Sequence, residues 1–440
     1  MKHFGTDGIR KKADEFTPEF LAKIIKGLVD YAGNEIKVFL AGDTRESTEW
    51  ILQDLEIALE TFGIEYSNAG VLPTPAINYC FYNMGFDFTI DVTASHNPYE
   101  DNGIKIFERG NNSGRKLNEK ACEIIENAIN NAEFSYAPAS PTIRESLHKE
   151  ALNLYKEHLL NYLKIADFSG LKIGLDCANG ATSVINKTIF EELGAKVTLI
   201  NADHSYGTSI NRDCGSTHLD HLVDLVKTNS LDLGIAFDGD GDRVLMIDED
   251  GEVVDGDEII AILANYLDLD KIAVTVMANQ GLLNWADANH IKTEITAVGD
   301  SNVSEAMRVN DIQLGGEQSG HIILPGESTG DGMLTALVIT KIISETKKSL
   351  KELKKIIQKF PQVIVNMPAT KEQKENLKTS DTAKNLLLEY NKKLEPISGR
   401  LLVRPSGTEN LIRITMWGND ESIIKKLAND LKNSLISSLT

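Results

Sequence analysis

The sequence is poor in cysteine, and the cysteines it has are far apart. Cys80, Cys122, Cys177 and Cys214 form no Cys-x-x-Cys pair, and none stands with histidines in a zinc-binding spacing. This pattern argues against both a zinc site and a disulfide framework. It is typical of a protein from a reducing compartment.

Long apolar runs are also missing. The N-terminal stretch MKHFGTDGIR lacks the apolar segment of a signal peptide, and no uncharged stretch elsewhere is long enough to span a bilayer. We therefore expect a cytoplasmic protein that does not act at a membrane.

Positive charge is in deficit. Lys and Arg total 45 against 65 Asp and Glu, which gives a formal net charge of −20. Such a surface repels nucleic acid and anionic membranes, so neither is an expected partner. It also repels anionic small molecules, so a phosphate site would have to be built from local positive groups.

What the sequence does contain is enough apolar material for several cores. Hydrophobic residues make up 42% of the 440 positions, which is ordinary for a globular protein. At roughly 150 residues per domain, this length corresponds to about three domains.

Three segments of the chain begin alike. KVFLAGDTR from Lys37, KIGLDCANGA from Lys172 and KIAVTVMANQG from Lys271 each pair an apolar strand with a small or polar turn. Each is followed by a helix-like stretch, a second strand and a third strand that ends in an unusual loop. These loops are TASHNP at Thr93, AFDGDGDR at Ala236 and GGEQSGH at Gly315.

Strands that alternate with helices predict βαβ units and a largely parallel sheet covered on both faces. We therefore predict three similar mixed-sheet α/β domains in tandem, with chance similarity between βαβ units as the alternative. Ligands bind beyond the carboxyl ends of such strands, where all three unusual loops fall.

The last 80 or so residues differ in pattern. PQVIVNMPA from Pro361 predicts a strand, the run from Lys371 to Leu394 a helix, GRLLVRPSGTENLIRITMWG a strand pair, and the tail from Asp420 a helix. This is an α+β module. The predicted domains are 1–140, 141–250, 251–357 and 358–440.

The loop FDGDGDR places Asp238, Asp240 and Asp242 two residues apart, with glycines between them. Glycines relax the backbone, so the three carboxylates can converge on one point. A hard divalent cation would relieve their repulsion, which favours magnesium. The alternatives are an EF-hand, opposed by Arg243 at the position that needs glycine, a solvated acidic turn, and a phosphatase-like Asp-x-Asp nucleophile.

Other loops offer groups suited to a sugar phosphate. In RPSGTEN, Arg404 and two hydroxyl side chains surround a glycine, as in a phosphate cradle, and Arg413 follows on the next strand. GGEQSGH presents Glu317, Ser319 and His321 on alternate positions, which suits sugar hydroxyls. Taken singly, each string is equally compatible with an ordinary polar turn.

The four motifs TASHNPYEDNGIKIF, AFDGDGDR, GGEQSGH and RPSGTEN stand in the order found in the α-D-phosphohexomutases, and the sequence resembles that family over nearly its whole length. FGTDGIR and GGEQSGHIILPGESTGDGMLTAL are most similar to the branch that acts on glucosamine phosphate. Departures from the usual pattern occur at Lys11, Ser301, Asn410 and in the stretch from Ser205 to Ser209. They leave the serine, the aspartates and the Arg404 loop intact.

The resemblance implies four domains around a central cleft and a phosphoryl group carried on Ser95. It implies one Mg²⁺ ion per chain held by Ser95, Asp238, Asp240 and Asp242. Glucosamine or glucose 1,6-bisphosphate would be the intermediate or activator.

The resemblance also implies the remaining site residues. Arg10 would hold the transferring phosphate, and His96, Lys105 and Arg243 are the candidates for proton transfer and electrostatic work. We favour Lys105 as the base, provided that neighbouring cations lower its pKa. The substrate would contact Glu317, Ser319, His321, Arg404, Ser406, Gly407, Thr408 and Arg413.

We therefore expect interconversion of glucosamine 6-phosphate and glucosamine 1-phosphate, feeding amino-sugar nucleotide and cell-wall precursor synthesis, by a monomer or homodimer. A mutase that prefers mannose or glucose phosphate is the first alternative. A non-catalytic sugar-phosphate sensor is the second.

Overall fold

A computed structural model describes residues 3–5, 7–111, 113–133, 146–406 and 410–439. The chain divides into two compact units. The first unit contains Met1–Thr275 and Glu294–Lys355, and the second contains Val276–Thr293 and Ile356–Thr440. No helix among the described residues is long and apolar enough to cross a membrane.

The N-terminal part of the first unit is built on a seven-stranded sheet with the order β1-β2-β6-β5-β3-β4, with β7 paired to β6. Its elements are β1 (Phe4–Gly5), β2 (Gly8–Lys12), α1 (Pro18–Ala32), β3 (Lys37–Gly42), α2 (Glu46–Thr61), β4 (Glu65–Val71), α3 (Thr74–Asn83), β5 (Phe88–Val92), β6 (Asp101–Arg109), β7 (Gly114–Lys116) and α4 (Glu119–Asn131). Strands β4, β3 and β5 run parallel, and β6 returns antiparallel to β5.

A second, five-stranded sheet repeats this order. Its elements are α5 (His148–Leu163), β8 (Lys172–Asp176), α6 (Asn186–Glu192), β9 (Lys196–Ile200), α7 (Asp220–Asn229), β10 (Leu233–Phe237), β11 (Val244–Asp248) and β12 (Val253–Val254). Strands β9, β8 and β10 are parallel, and β11 returns antiparallel. The order second strand, first strand, third strand, antiparallel fourth strand is therefore the same as in the first sheet.

The third sheet has the order β14-β13-β15-β16, the same pattern again. The elements of this region are α8 (Gly256–Tyr266), β13 (Lys271–Thr275), α9 (Gln280–Ala288), β14 (Lys292–Thr296), α10 (Asp300–Asn310), β15 (Gly315–Gly316), β16 (Ile322–Ile323), α11 (Gly332–Thr346) and α12 (Leu350–Lys354). The predicted class of three similar mixed-sheet regions is confirmed.

The second unit carries a three-stranded antiparallel sheet with the order β17-β19-β18. Its C-terminal elements are β17 (Gln362–Pro368), α13 (Lys371–Thr379), α14 (Asp381–Leu394), β18 (Arg400–Pro405), β19 (Leu411–Trp417) and α15 (Glu421–Ser438). The prediction of a single helix from Lys371 to Leu394 is wrong. The chain breaks at Ser380, whose hydroxyl accepts the Ala383 N–H at 3.3 Å and so begins a new helix.

Each unit has its own apolar interior. In the first unit, α1, α2 and α4 pack their apolar faces with β3 and β5 around residues such as Leu28, Leu40 and Ile90, all fully buried. In the second unit, α14 and α15 pack around Ile412, Ile414 and Leu431. The strands from which the loops extend are therefore anchored in these cores.

Candidate active site

The Ser95 loop follows directly on β5. The Ser95 side chain is buried, and its Oγ donates to Asp238 Oδ2 at 2.7 Å. The backbone at Ser95 is left-handed, with φ of 52°. A non-glycine residue in this conformation is strained by about 1–3 kcal/mol and persists only where its surroundings hold it.

The carboxylate loop lies between antiparallel strands β10 and β11, so the EF-hand alternative, which needs flanking helices, is excluded. Asp238, Asp240 and Asp242 are all at most 3% exposed, which also excludes a solvated acidic turn. One carboxylate oxygen from each lies within 4.8 Å of the others. The loop therefore converges as the glycine spacing predicts, and Gly241 supplies a φ of 72° that other residues adopt at a cost.

Burial and mutual repulsion shape the ionisation of this cluster. Burial raises the pKa of Asp238 well above its usual value, and Asp240 and Asp242 raise it further. Burial alone would also raise the pKa of Asp242, but Lys105, His321 and Arg243 outweigh it and lower that pKa.

The donor set fits a hard cation. Asp240 Oδ1 and Asp242 Oδ1 are buried and accept no hydrogen bond from any residue that the structure describes. Buried carboxylate oxygens without donors are costly, and an all-oxygen ligand set is what Mg²⁺ prefers.

Lys105 lies against the same carboxylates. Its Nζ is 2.8 Å from Asp240 Oδ2, 3.2 Å from Asp242 Oδ2 and 3.3 Å from Asp7 Oδ2. Burial alone would lower the pKa of Lys105, but Asp240, Asp7 and Asp242 raise it well above its ordinary value. The condition that neighbouring cations lower this pKa is therefore not met, because the neighbours are carboxylates.

His96 and Arg243 contact each other beside the Ser95 hydroxyl and the carboxylates. His96 Nδ1 is 3.4 Å from Ser95 Oγ and 3.0 Å from Arg243 Nη1. Because a guanidinium can only donate, Nδ1 is the acceptor and the ring proton is on Nε2. Burial, with the guanidinium groups of Arg243 and Arg10, lowers the pKa of His96 to about 4. His96 is therefore neutral at pH 7.

Arg10 is placed by a network that its motif alone did not reveal. Its Nη2 is 2.6 Å from Asp7 Oδ2, and its Nη1 donates to Asn97 Oδ1 at 3.4 Å. Lys116 Nζ lies 2.5 Å from Asp7 Oδ1 and also pairs with Asp300. Asp7, from the same motif FGTDGIR, therefore links Arg10 to Lys116.

The GGEQSGH loop lies beside the carboxylate loop within the first unit. The backbones of His321 and Arg243 form an isolated antiparallel β-bridge. The His321 side chain accepts the Gly330 N–H at Nε2, at 3.3 Å. Glu317 is buried and accepts the Gly299 N–H at 3.1 Å, whereas Ser319 is exposed. The three side chains therefore have different surroundings despite their regular spacing.

A cavity of about 1060 Å³ opens along this side of the first unit, with Lys116, Asp300 and His321 in its wall. Ser301 and Thr329 also line it. Its size is slightly above the usual range of about 300–1,000 Å³ for small-molecule sites.

The second unit contains a separate cationic feature. Arg404 on β18 and Arg413 on β19 are directly opposite in the antiparallel register. Two like charges directly opposite each other are destabilising, and an anion bound between them would relieve the repulsion. Ser406 is buried, and its carbonyl accepts a hydrogen bond from Lys374 Nζ at 3.0 Å. Gly407 and Thr408 lie outside the described residues.

Comparison with known families gives four matches that together cover nearly the whole chain. They are described as Phosphoglucomutase/phosphomannomutase, alpha/beta/alpha domain I (residues 1–136), domain II (153–251) and domain III (255–360), and as the C-terminal domain (341–434).

Individual relatives over the full chain belong to the same family. A phosphoglucosamine mutase of Caldicellulosiruptor saccharolyticus is 42% identical over 455 residues, and one of Clostridioides difficile is 39% identical over 452, each covering all of both chains.

Among solved structures, a phosphoglucomutase/phosphomannomutase family protein of Burkholderia thailandensis has a TM-score of 0.79 at 20% identity, covering 98% of this chain and 97% of that one. The Aspergillus fumigatus N-acetylphosphoglucosamine mutase, in complex with GlcNAc-6P and magnesium, has a TM-score of 0.71 at 16% identity, covering 100% and 96%. At these identities, the structures support the fold alone.

Proposed function

We propose that this chain, which belongs to the phosphoglucomutase/phosphomannomutase family, interconverts glucosamine 6-phosphate and glucosamine 1-phosphate. The observation that carries the proposal is the 2.7 Å contact between Ser95 Oγ and a buried cluster of three carboxylates. The full-length similarity to phosphoglucosamine mutases supports the choice of sugar.

The residues that would hold Mg²⁺ are Asp238, Asp240, Asp242 and the Ser95 oxygen, which share one buried point in the first unit. A bound Mg²⁺ would neutralise negative charge on the phosphoryl group during transfer.

In the proposed reaction, Ser95 carries the phosphoryl group. The bond from phosphorus to Ser95 Oγ breaks as a bond from phosphorus to the sugar O1 forms, which gives a 1,6-bisphosphate. After the sugar reverses, its 6-phosphoryl group passes back to Ser95 and glucosamine 1-phosphate leaves. In each transfer the proton of one hydroxyl must reach the oxygen of the other.

Among His96, Lys105 and Arg243, the approach of His96 Nδ1 to within 3.4 Å of Ser95 Oγ favours His96 as the group that passes this proton. Carboxylates raise the pKa values of Lys105 and Arg243, so both stay charged, whereas the pKa of about 4 keeps His96 neutral. Lys105, Arg243 and Arg10 would then stabilise the negative charge of the phosphoryl group.

We propose that the arginine pair of the second unit, Arg404 and Arg413, binds the phosphate that is not being transferred, with Ser406, Gly407 and Thr408. Charge-assisted bonds from guanidinium groups are the strongest that a protein offers to phosphate. In the first unit, Glu317, Ser319 and His321 would contact the sugar ring. The four-domain division at residues 140, 250 and 357, the cytoplasmic location and the monomeric or dimeric state stay predictions.

The test is a substrate panel on the purified protein. Glucosamine, glucose and mannose 6-phosphates are each supplied with Mg²⁺ and a trace of the corresponding 1,6-bisphosphate, and the 1-phosphate formed is measured. We expect the highest kcat/KM for glucosamine 6-phosphate. A preference for mannose or glucose phosphate would assign the chain to another branch, and activity on none would refute the proposal.

The Ser95→Ala variant separates a mutase from a sugar-phosphate sensor. It should lose turnover by at least about 10³-fold while still binding the sugar phosphate, since the variant removes only the oxygen that carries phosphate. Unchanged turnover in Ser95→Ala would refute the phosphoserine mechanism.

A further inference from the structure

The strained conformation of Ser95 needs an explanation that the reaction itself does not supply. Its backbone is held at both ends: the Ser95 N–H donates to Thr93 Oγ1 at 2.9 Å, and Thr93 Oγ1 in turn donates to Asp43 Oδ2 at 2.7 Å. The Ser95 carbonyl accepts two further bonds, from Arg45 Nη2 at 2.9 Å and from Asn211 Nδ2 at 2.8 Å.

The Arg45 side chain is fully buried, and all five of its N–H donors have acceptors. Nε donates to Asp43 Oδ2 at 2.9 Å. Nη2 donates to the carbonyls of Ser95 and Asn97, and Nη1 to those of Pro98 and Asp101. One guanidinium therefore binds three carbonyls of the loop that presents Ser95 and a fourth at Asp101, the first residue of β6.

Asn211 reaches the same loop from the region of the second sheet. Its Nδ2 donates to the carbonyls of Ser95 and Asn97, two of the four that Arg45 binds. The carboxylate loop approaches the same place, because a Cβ on Gly239 would lie 2.7 Å from both Ser95 O and Asn211 Nδ2. The Ser95 carbonyl is thus the point at which three parts of the first unit meet.

We propose that Arg45 and Asn211 are positioning residues for the phosphoryl-transfer step, which fix Ser95 Oγ against the carboxylate loop by binding the carbonyls of Ser95 and Asn97. The inference rests on the proposed function. Neither side chain touches Ser95 Oγ. They act through the backbone, because a fixed carbonyl on one side and a fixed N–H on the other determine the direction of the Ser95 side chain.

The two side chains provide overlapping support. A carbonyl oxygen has two lone pairs, so the loss of one donor leaves the other in place. Single substitutions should therefore be partly compensated, and the double variant should lose more than the product of the single losses.

The test compares Arg45→Lys, Asn211→Ala and the double variant with the unchanged protein. Lysine keeps the charge beside Asp43 but cannot bind four carbonyls. We expect each single variant to lower kcat about 10-fold and the double variant more than 100-fold, since misplacement near 1 Å costs about 10²-fold. KM for glucosamine 6-phosphate should change little.

A matched control is Arg109→Lys. Arg109 is a half-buried arginine of the first unit, and like Arg45 it has a side chain that donates to backbone carbonyls, here those of Phe86 and Tyr82. It is not bonded to the Ser95 loop, so the same substitution there should leave kcat unchanged. Equal losses at Arg109 and Arg45 would overturn the proposal.

Hydrogen exchange over residues 93–102, measured by mass spectrometry, supplies a readout that does not depend on turnover. We expect faster exchange in this loop in the Arg45 and Asn211 variants and no change in the control. If the protein without substitutions turned over no sugar phosphate, the proposed function would fail. The positioning role would be overturned separately, by hydrogen exchange over residues 93–102 that is as slow in the Arg45 and Asn211 variants as in the protein without substitutions. Faster exchange with unchanged kcat, or additive losses of kcat in the double variant, would also overturn it.

Discussion

Asp331 combines a structural role with an unusual ionisation. It precedes α11, is 2% exposed, and its Oδ1 accepts the Leu334 N–H at 2.8 Å. The Tyr155 hydroxyl lies 2.9 Å from both carboxylate oxygens. Burial raises the pKa of Asp331 to about 7, with a further contribution from nearby Glu327.

This shift predicts that ionisation of Asp331 destabilises the first unit. The folded state holds the proton up to about pH 7, whereas the unfolded chain releases it near pH 4. Stability must therefore fall as pH rises through this window, by roughly 4 kcal/mol in total for three pKa units. Between pH 5 and pH 8 the fall is roughly 2.5 kcal/mol, since part of the window lies below pH 5.

Asp331→Asn removes the titration and keeps an oxygen that can cap α11. Relative to the unchanged protein, the variant should gain roughly 2.5 kcal/mol in the opening free energy of α11 between pH 5 and pH 8. Hydrogen exchange of the α11 amides, with rates divided by their intrinsic values at each pH, measures this quantity. Neighbouring titrating groups, His158 among them, are common to both proteins and largely cancel in the comparison.

Asp220→Asn, at an exposed carboxylate in the first turn of α7, is the matched control and should show no such change. If the difference between Asp331→Asn and the unchanged protein were the same at pH 5 and pH 8, the buried-carboxyl reasoning would be refuted.

Three further predictions concern the candidate site. Gly180→Ala should weaken Mg²⁺ binding by roughly 10-fold or more in calorimetry, because its Cβ would lie 2.3 Å from Gly239 O in the carboxylate loop. Arg404→Gln should raise KM for glucosamine 6-phosphate by roughly 10-fold or more in initial-rate assays, through loss of a charge-assisted phosphate contact. Lys105→Met should lower the unfolding free energy, measured by urea titration in EDTA, by about 3–5 kcal/mol, because it removes the ammonium group that pairs with the buried carboxylates. Added Mg²⁺ should restore part of that loss.

The first two of these predictions have a control variant, and the third has a contradicting result. Gly5→Ala adds a Cβ whose nearest contact is an ordinary 3.6 Å, so it should bind Mg²⁺ as tightly as the unchanged protein. Equal Mg²⁺ affinities in Gly5→Ala and Gly180→Ala would contradict the prediction. Lys378→Gln, at an exposed lysine of the second unit paired with Glu375, should leave KM unchanged. An Mg²⁺ response of Lys105→Met no larger than that of the unchanged protein would contradict the account of the carboxylate cluster.

Much of the fold could be predicted from local patterns of apolar and small residues in the sequence. The strands that begin at Lys37, Lys172 and Lys271 were predictable because apolar runs ending in small residues specify buried parallel strands. The break at Ser380 was not, because leucine and lysine favour a helix on both sides and the serine acts only through its hydrogen bond to the following turn.

In the site, motif residues were predictable and their environments were not. The spacing of Asp238, Asp240 and Asp242, with glycines between them, was enough to indicate that the carboxylates converge. The direction of the Lys105 pKa shift could not be predicted from the sequence, because carboxylates from other segments, such as Asp240 at 2.8 Å, raise that pKa. Lys116 and Asp300 carried no sequence signal at all.

The sequence alone determined which reactive groups are present and on which kind of local structure: a serine after a strand, three carboxylates on a glycine-containing loop, and arginines on a hairpin. Those features follow from neighbours along the chain, whose geometry is local. Only the tertiary structure decided that Arg45 and Asn211, more than 100 residues apart, bind the same carbonyls, and that His96 is neutral while Lys105 stays charged. Such contacts and electrostatic fields depend on which distant segments meet in a buried, low-dielectric interior, and chain order does not record that.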